Sequence, residues 1–296
     1  MSALPAELSG NLPGDSTLST FTASDGDNLA VQDWPLPEGV ARRGMVVIVH
    51  GLGEHAGRYD HVARRLNQWG FAVRGYDQYG HGESDGVRGA LPTPTRLLDD
   101  LADIVDSTRT RMEPGLPLVL LGHSMGGLVA ASFVAQIIRP VDALVLTSPA
   151  LDAGLSRFQQ LLLGVLPRIA PNFTVNNGLD VQAISHDPAV VRAYQADPRV
   201  HGRISGRLAR FIADGGPAVV AQAPHWHVPT LLMYAGSDRL VNPAGSRAFT
   251  RAAPPPVVES HCFEPLYHEI LNEPEELAAP VFERLKTWLD ERLQAA

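Results

Sequence analysis

The sequence contains little cysteine and little positive charge, and each shortage excludes a class of protein. Its 296 residues include one cysteine, Cys262, which excludes an internal disulfide and a cysteine-rich zinc module. Lysine and arginine together number 24 against 32 aspartates and glutamates, so the formal net charge is −8. Because phosphate neutralisation requires clustered basic residues, and the arginines here are scattered, we expect no nucleic-acid partner.

Signals for secretion and for membrane insertion are also missing. Residues 1–16 carry neither a basic segment nor a long apolar one, so we expect a flexible leader there and no signal peptide. The longest mostly apolar stretch, 125–138, is shorter than the roughly 18 residues of a membrane-spanning helix. Hydrophobic residues make up 45% of the chain and charged residues 19%, which is typical of globular proteins. We therefore expect a cytoplasmic globular protein.

Most of the chain alternates between apolar, β-branched runs and amphipathic stretches. A turn at 24–28 between two short alternating runs predicts a hairpin. Further strands are predicted at 45–49, 71–76, 118–121, 143–146, 230–234 and 257–263. Helices are predicted at 58–69, 95–112, 124–138, 243–252 and 275–293. This alternation predicts an α/β fold with a mostly parallel central sheet and helices on both faces.

The alternation stops between residues 152 and 225. This stretch has helical patches at 155–166, 190–196 and 202–214, separated by prolines, but no convincing strand. We interpret 152–225 as a helical cap insertion. The two flanking segments, 17–151 and 226–296, then form one α/β core.

A serine, Ser124, lies where a sharp turn is predicted between the third buried strand and the helix that follows it. Residues 122–127 read Gly-His-Ser-Met-Gly-Gly, and the glycines two positions before and after Ser124 leave room for neighbouring backbone. Such a turn presents the serine at the carboxyl edge of the sheet. The N–H of Met125, at the helix N-terminus, then faces the place where an oxyanion would form. The alternative is a glycine-rich turn without a chemical role.

A neutral serine needs a base, and the base needs a carboxylate to orient it. In folds of this type the order along the chain is serine, acid, histidine. Asp238 follows the predicted strand 230–234, and His268 follows the strand 257–263. Asp152 is the alternative acid. The alternative bases are His225, His227 and His261.

The first buried strand ends in His50-Gly51-Leu52-Gly53. A turn there can present the Leu52 N–H as a second oxyanion donor, with His50 holding the loop by hydrogen bonds. The same stretch also fits Gly-x-Gly-x-x-Ala, with Asp77 following at the spacing of a dinucleotide-binding fingerprint. An oxidoreductase is therefore the alternative from another class, although it leaves the serine, acid and base unexplained.

The histidine spacings do not match known metal sites. Asn272 stands where a zinc peptidase helix would place its second histidine after His268, and His225-x-His227 has no evident third ligand. We therefore expect no metal and no cofactor. Cys262 lies within a predicted strand and is interpreted as a small core residue.

Together these segments resemble the monoglyceride lipase and lysophospholipase-like branch of the α/β-hydrolase superfamily. The resemblance runs from about residue 20 to the end and rests on segments 50–59, 77–84, 122–127, 236–241 and 267–273. It implies a catalytic triad of Ser124, Asp238 and His268, with oxyanion donors at Leu52 and Met125. It also implies loop-shaping roles for Glu54, His55, Arg58 and Tyr59.

The resemblance implies a serine hydrolase that cleaves carboxylic esters of lipid type, with monoacylglycerols as the first expectation. A lysophospholipase or a general carboxylesterase could use the same triad, and a non-enzymatic ligand-binding protein could keep the same pocket. Four apolar cap residues are expected to line an acyl pocket, although packing of the cap is the alternative reason for them: Leu161, Leu162, Val165 and Leu166. The cap could also contact a membrane surface. The oligomeric state is not readable from the sequence.

Overall fold

The computed structural model describes residues 16–154 and 170–293. Within this part, the β-strands are β1 (Thr17–Thr22), β2 (Asn28–Trp34), β3 (Gly44–Val49), β4 (Phe71–Tyr76), β5 (Leu118–His123), β6 (Ala143–Thr147), β7 (Thr174–Asn176), β8 (Arg203–Ser205), β9 (Thr230–Ala235) and β10 (Val258–Phe263). The α-helices are α1 (Asp60–Gln68), α2 (Arg96–Arg109), α3 (Ser124–Ala135), α4 (Pro188–Ala196), α5 (Gly206–Gln222), α6 (Pro243–Ala252) and α7 (Glu275–Arg292). Short 3₁₀ helices span Ala56–Tyr59, Val181–Ala183 and Ala223–His225.

Eight strands form one sheet in the order β1-β2-β4-β3-β5-β6-β9-β10. The predicted hairpin, β1 and β2, adds antiparallel strands at one edge, and the remaining neighbours pair in parallel. The predicted α/β fold is confirmed. Because the parallel strands run the same way, the loops that follow β3, β5, β9 and β10 all leave from the carboxyl edge of the sheet.

The core consists of two apolar layers, one on each face of the sheet. Strand β3 shows how its side chains divide: Val47 and Val49 belong to one buried cluster, and Val46 and Ile48 belong to the other. This division follows from the alternation of side chains along a strand. Helices α2, α3 and α6 cover the first face, and α1 and α7 cover the second. The sheet is therefore fixed on both sides, which makes its carboxyl edge a rigid platform.

The expectation that 152–225 contains no strand is wrong. Strands β7 and β8 pair antiparallel, with Val175 opposite Ile204. The helical patch predicted at 202–214 instead starts at Gly206, capped by the Ser205 side chain, and continues through Pro217 to the end of α5. Three-residue strands are too short to show a period, and an internal proline resembles a helix end.

The described part of this stretch packs onto the core, since α5 contacts α3 and α6. The predicted patch at 155–166 lies outside the described residues, together with Leu161, Leu162, Val165 and Leu166. The same holds for the predicted leader, apart from Ser16. In residues 16–154 and 170–293, no helix has both the length and the apolar character to cross a membrane.

Candidate active site

Ser124 lies at the turn between β5 and α3 and has a positive φ of 54°, which is rare for a residue with a side chain. Glycine is required on both sides for a steric reason. A Cβ on Gly122 would lie 2.6 Å from the carbonyl oxygen of Gly126, and a Cβ on Gly126 would lie 2.1 Å from that of Val49. The predicted reason for the two glycines is confirmed.

A chain of two hydrogen bonds links Ser124 to a histidine and an aspartate. The Nε2 atom of His268 lies 2.8 Å from Ser124 Oγ, and its Nδ1 lies 2.7 Å from Oδ2 of Asp238. The second Asp238 oxygen, Oδ1, accepts the backbone N–H groups of Leu240 and Val241 at 2.9 Å each. Only 2% of the Asp238 side chain and 6% of the His268 side chain are exposed. The loops after β5, β9 and β10 thus bring the three side chains together.

The charges along these two hydrogen bonds favour proton transfer. Burial acts to lower the pKa of His268, but the adjacent Asp238 carboxylate outweighs it and raises that pKa above its ordinary value. Burial acts to raise the pKa of Asp238, but contact with His268 and two backbone N–H groups lowers it below its ordinary value. Asp238 is therefore ionised at neutral pH and accepts the Nδ1 proton. The Nε2 atom of His268 is then free to take a proton from Ser124.

The alternative acid and bases lie elsewhere. Asp152 accepts the Asn242 side-chain amide at 2.8 Å. His261 lies on β10 next to Glu259, at 2.9 Å. The remaining alternative bases, at positions 225 and 227, are exposed. The side chains that meet at the serine are therefore those of Asp238 and His268, and the alternative residues lie away from it.

The loop after β3 lies against the serine. A Cβ on Gly51 would be 3.2 Å from the Cβ of Ser124, and Leu52 and Met125 both line the cavity that contains Ser124. His50 fixes this loop, because its Nε2 accepts the backbone N–H of Gln78 at 2.9 Å and its Nδ1 lies 2.8 Å from Gly51 O. His50 thus has the structural role that the sequence predicted for it.

A buried ion-pair network connects this loop to the loop that carries His268. Glu54 accepts the Gly51 N–H at 2.5 Å and the Tyr59 hydroxyl at 2.7 Å, and it pairs with Arg58 at 2.5 Å. Arg58 also makes two parallel hydrogen bonds of 2.7 Å with Glu269. Burial acts to raise the pKa of Glu54, but Arg58 above all lowers it to about 2. The Arg58 guanidinium therefore bridges the two carboxylates.

Glu269 and His123 are site residues that the sequence analysis missed. The ring of His123 lies 4.8 Å from that of His268, and its Nδ1 contacts Thr147 O at 3.0 Å. Burial lowers the pKa of His123 to about 4, so it adds no charge beside the base. Their positions carried a signal, since one directly precedes Ser124 and the other directly follows His268.

The dinucleotide-binding alternative is not compatible with the loop after β3. A Cβ on Gly53 would lie 2.3 Å from the carbonyl oxygen of His201, and the His201 N–H donates to Gly53 O at 2.8 Å. A pyrophosphate therefore has no close approach to this backbone. Asp77, the expected ribose partner, instead accepts the N–H groups of Ala56 and Glu83 at 2.8 Å each.

In the parts of the chain described, no group of three His, Cys, Asp or Glu side chains is arranged to hold a metal ion. Cys262 lies half-buried on β10 near Glu264, and burial raises the pKa of its thiol. A raised pKa disfavours the thiolate that a nucleophilic cysteine requires.

The cavity above Ser124 has a volume of about 470 Å³. Part of its described lining is polar and lies near the ion-pair network, including Glu54, His123 and Tyr194. The 170–225 stretch supplies apolar lining residues such as Ile184 and Ile212. A cavity of this size and mixed character fits an amphiphilic small molecule.

Comparisons with known proteins show a matching family and similar hydrolases. The model of the Hydrolase_4 family, described as serine aminopeptidase S33, matches residues 41–275. The monoacylglycerol lipase of Mycolicibacterium smegmatis is 37% identical over 250 residues, which is 83% of this chain and 88% of that protein. The phospholipase YtpA of Bacillus subtilis is 32% identical over 251 residues, or 83% of this chain and 95% of that protein.

A solved structure shares both fold and sequence with this chain. The crystal structure of the monoacylglycerol lipase of Paleococcus ferrophilus superimposes with a TM-score of 0.79 at 33% identity, covering 89% of this chain and 99% of that one. The resemblance inferred from the sequence is thereby confirmed. The chain belongs to the Hydrolase_4 family, serine aminopeptidase S33, within the α/β-hydrolase superfamily.

Proposed function

We propose that this protein is a serine hydrolase that cleaves carboxylic esters of lipid type, with monoacylglycerols as the preferred substrates. The observation that carries the proposal is the pair of short hydrogen bonds from His268, 2.8 Å to Ser124 Oγ and 2.7 Å to Asp238. Nucleophile, base and orienting carboxylate are the three parts that acyl transfer requires.

The proposed reaction has two steps. His268 takes the proton of Ser124 as Oγ attacks the ester carbonyl, and the N–H groups of Leu52 and Met125 stabilise the oxyanion. His268 then protonates the departing alcohol, leaving the acyl group on the serine. Water, activated by the same imidazole, hydrolyses the acyl-enzyme. Asp238 holds the imidazole in the correct tautomer and stabilises its charged form.

The cavity and the relatives support a lipid ester as substrate. Polar groups near Glu54 can meet the hydroxyls of an alcohol such as glycerol, and apolar residues of the 152–225 insertion can meet the acyl chain. Among the relatives are a monoacylglycerol lipase and a phospholipase, so lysophospholipids are the second candidate substrates. That residues 152–225 act as a cap, with an acyl pocket lined by leucines outside the described residues, stays a prediction.

We also propose peripheral contact with a lipid surface through this insertion. Three apolar side chains lie near one another along the chain and are exposed: Phe173 by 69%, Val175 by 50% and Leu179 by 36%. Leu179 also lines the cavity, so these exposed side chains adjoin the proposed substrate site. Replacing Phe173 by Ser should weaken flotation with phospholipid vesicles. Ile137→Ser removes an equally exposed side chain, also 69%, just past the far end of α3, and should not weaken it.

The substrate proposal is tested by comparing hydrolysis rates. Monoacylglycerols and lysophospholipids of matched acyl chains, p-nitrophenyl esters and an aminoacyl p-nitroanilide should be assayed with the wild type and with Ser124→Ala. We expect the highest kcat/KM for monoacylglycerols and no activity in the variant. Faster hydrolysis of lysophospholipids would favour the second candidate, and hydrolysis of none of the esters would contradict the proposal.

Titration with NAD(P)H tests the dinucleotide-binding alternative and should show no binding.

A further inference from the structure

We infer that Glu273 is a positioning residue for His268, because it fastens the loop that carries the base to residues 184–186 of the insertion. The inference rests on the proposed catalytic role of His268. It assigns to the insertion a part in aligning the base, in addition to lining the cavity.

Glu273 is a buried carboxylate whose two oxygens both accept hydrogen bonds. Its side chain is 0% exposed. One oxygen accepts the N–H of His186 at 2.7 Å and lies 3.1 Å from the hydroxyl of Ser185. The other accepts Nδ1–H of His186 at 2.9 Å and the N–H of Tyr267 at 2.6 Å. The carboxylate thus joins two segments that are far apart in sequence.

The residue on the other side of His268 is fastened to the same segment. The N–H of Glu269 donates to the carbonyl oxygen of Ile184 at 2.8 Å. The ring of Tyr267 also stacks on that of His186, with centroids 3.7 Å apart. Both neighbours of the base are therefore held by the insertion. Tyr267 is held through the Glu273 carboxylate, and Glu269 is held through a backbone hydrogen bond.

This arrangement matters because His268 lies in a loop between β10 and α7, outside any helix or strand. Its imidazole must stay within hydrogen-bonding distance of Ser124 and Asp238 at the same time, and misplacement by about 1 Å can cost about 10²-fold in rate. Glu273 is not among the described residues that line the cavity. It therefore acts through the position of His268 and not through contact with substrate.

The test replaces Glu273 by Gln, which keeps the shape but turns one accepting oxygen into an NH₂ group facing N–H donors. With a soluble p-nitrophenyl ester, we expect kcat to fall about 10²-fold and KM to change less than about twofold. The acid limb of the kcat profile should move to lower pH, because a displaced imidazole loses contact with the Asp238 carboxylate. The other groups that face His268, namely Glu54, His123 and Glu269, are unchanged in this variant.

The matched control is Glu276→Gln, the same change at an exposed carboxylate nearby, which should leave kcat and the pH profile unchanged.

If Glu273→Gln does not fold, His186→Ala replaces it as the test. The His186 side chain is 35% exposed, and its loss removes one hydrogen-bond donor to Glu273 and the ring stack with Tyr267. We expect a fall in kcat of about threefold to tenfold for His186→Ala.

A variant that folds and keeps the wild-type kcat and acid limb would overturn the inference. Failure of the proposed function has a different signature, since the wild-type protein would then hydrolyse no ester. A loss of thermal stability with unchanged kcat would show a purely structural role and would also overturn the inference.

Discussion

Replacing Asp238 by Asn tests the hydrogen-bond chain at its least exposed member. In the structure, Oδ1 of Asp238 is held by two backbone N–H groups, from Leu240 and Val241, and Oδ2 faces Nδ1 of His268. An asparagine must keep its oxygen on the side of the two N–H donors. Its NH₂ group then faces His268, and the imidazole has to present Nδ1 as an acceptor.

That tautomer carries its proton on Nε2, directed at Ser124, and cannot accept another. We therefore expect kcat to fall on the order of 10⁴-fold, equivalent to about 5 kcal/mol in the activation barrier. A second effect concerns pH. Neutral His268 is the active form, so wild-type kcat falls as the pH drops through the raised pKa of His268. Without the carboxylate, burial dominates, and the acid limb of the variant should move to lower pH.

The assay is hydrolysis of a p-nitrophenyl ester over a range of pH, with Asp152→Asn as the matched control. Asp152 bonds to Asn242 and not to the base, so its variant should keep activity within about threefold of the wild type. If Asp238→Asn retained more than about a tenth of the wild-type kcat, the assignment of the acid would be wrong. The same would follow if Asp152→Asn lost more of the wild-type kcat than Asp238→Asn.

Two further predictions concern the supports of the site. Gly126→Ala should lower the free energy of unfolding by about 2 kcal/mol or more in urea titrations, because the new Cβ would lie 2.1 Å from Val49 O. The control Gly202→Ala should have little effect, because the atom nearest to its new Cβ would be 3.5 Å away. Arg58→Met should cost about 3–5 kcal/mol in the same measurement, because it leaves buried carboxylates, including Glu269, without their cation. Wild-type stability in either variant would contradict the corresponding contact.

Local signals in the sequence were sufficient for the sheet and for the serine turn. Strands such as β3, with its continuous apolar run Val46–Val49, are recognisable because a strand buried on both faces needs apolar residues at every position. The turn at Ser124 is recognisable because glycines are required at fixed distances from it. The acid and the base were predicted from the order serine, acid, histidine that is typical of folds of this type, and from the predicted strand that each residue follows.

The supports around the base depend on tertiary contacts that leave no local pattern. Glu273 resembles an ordinary surface carboxylate in the sequence, yet it bonds to Ser185 and His186, which are distant along the chain. The pairing of β7 with β8 likewise depends on the approach of two short segments. No periodicity within either segment predicts that approach, so strands of this length were missed.

Ser124 is the proposed nucleophile, and covalent labelling can identify the reacting residue without assuming a substrate. The protein should be treated with a fluorophosphonate probe, digested, and the modified residue located by mass spectrometry, with Ser124→Ala as the control. We expect one label per chain on Ser124, no label in the variant, and loss of ester hydrolysis in proportion to labelling. A label on another residue, or wild-type turnover by Ser124→Ala, would contradict this assignment.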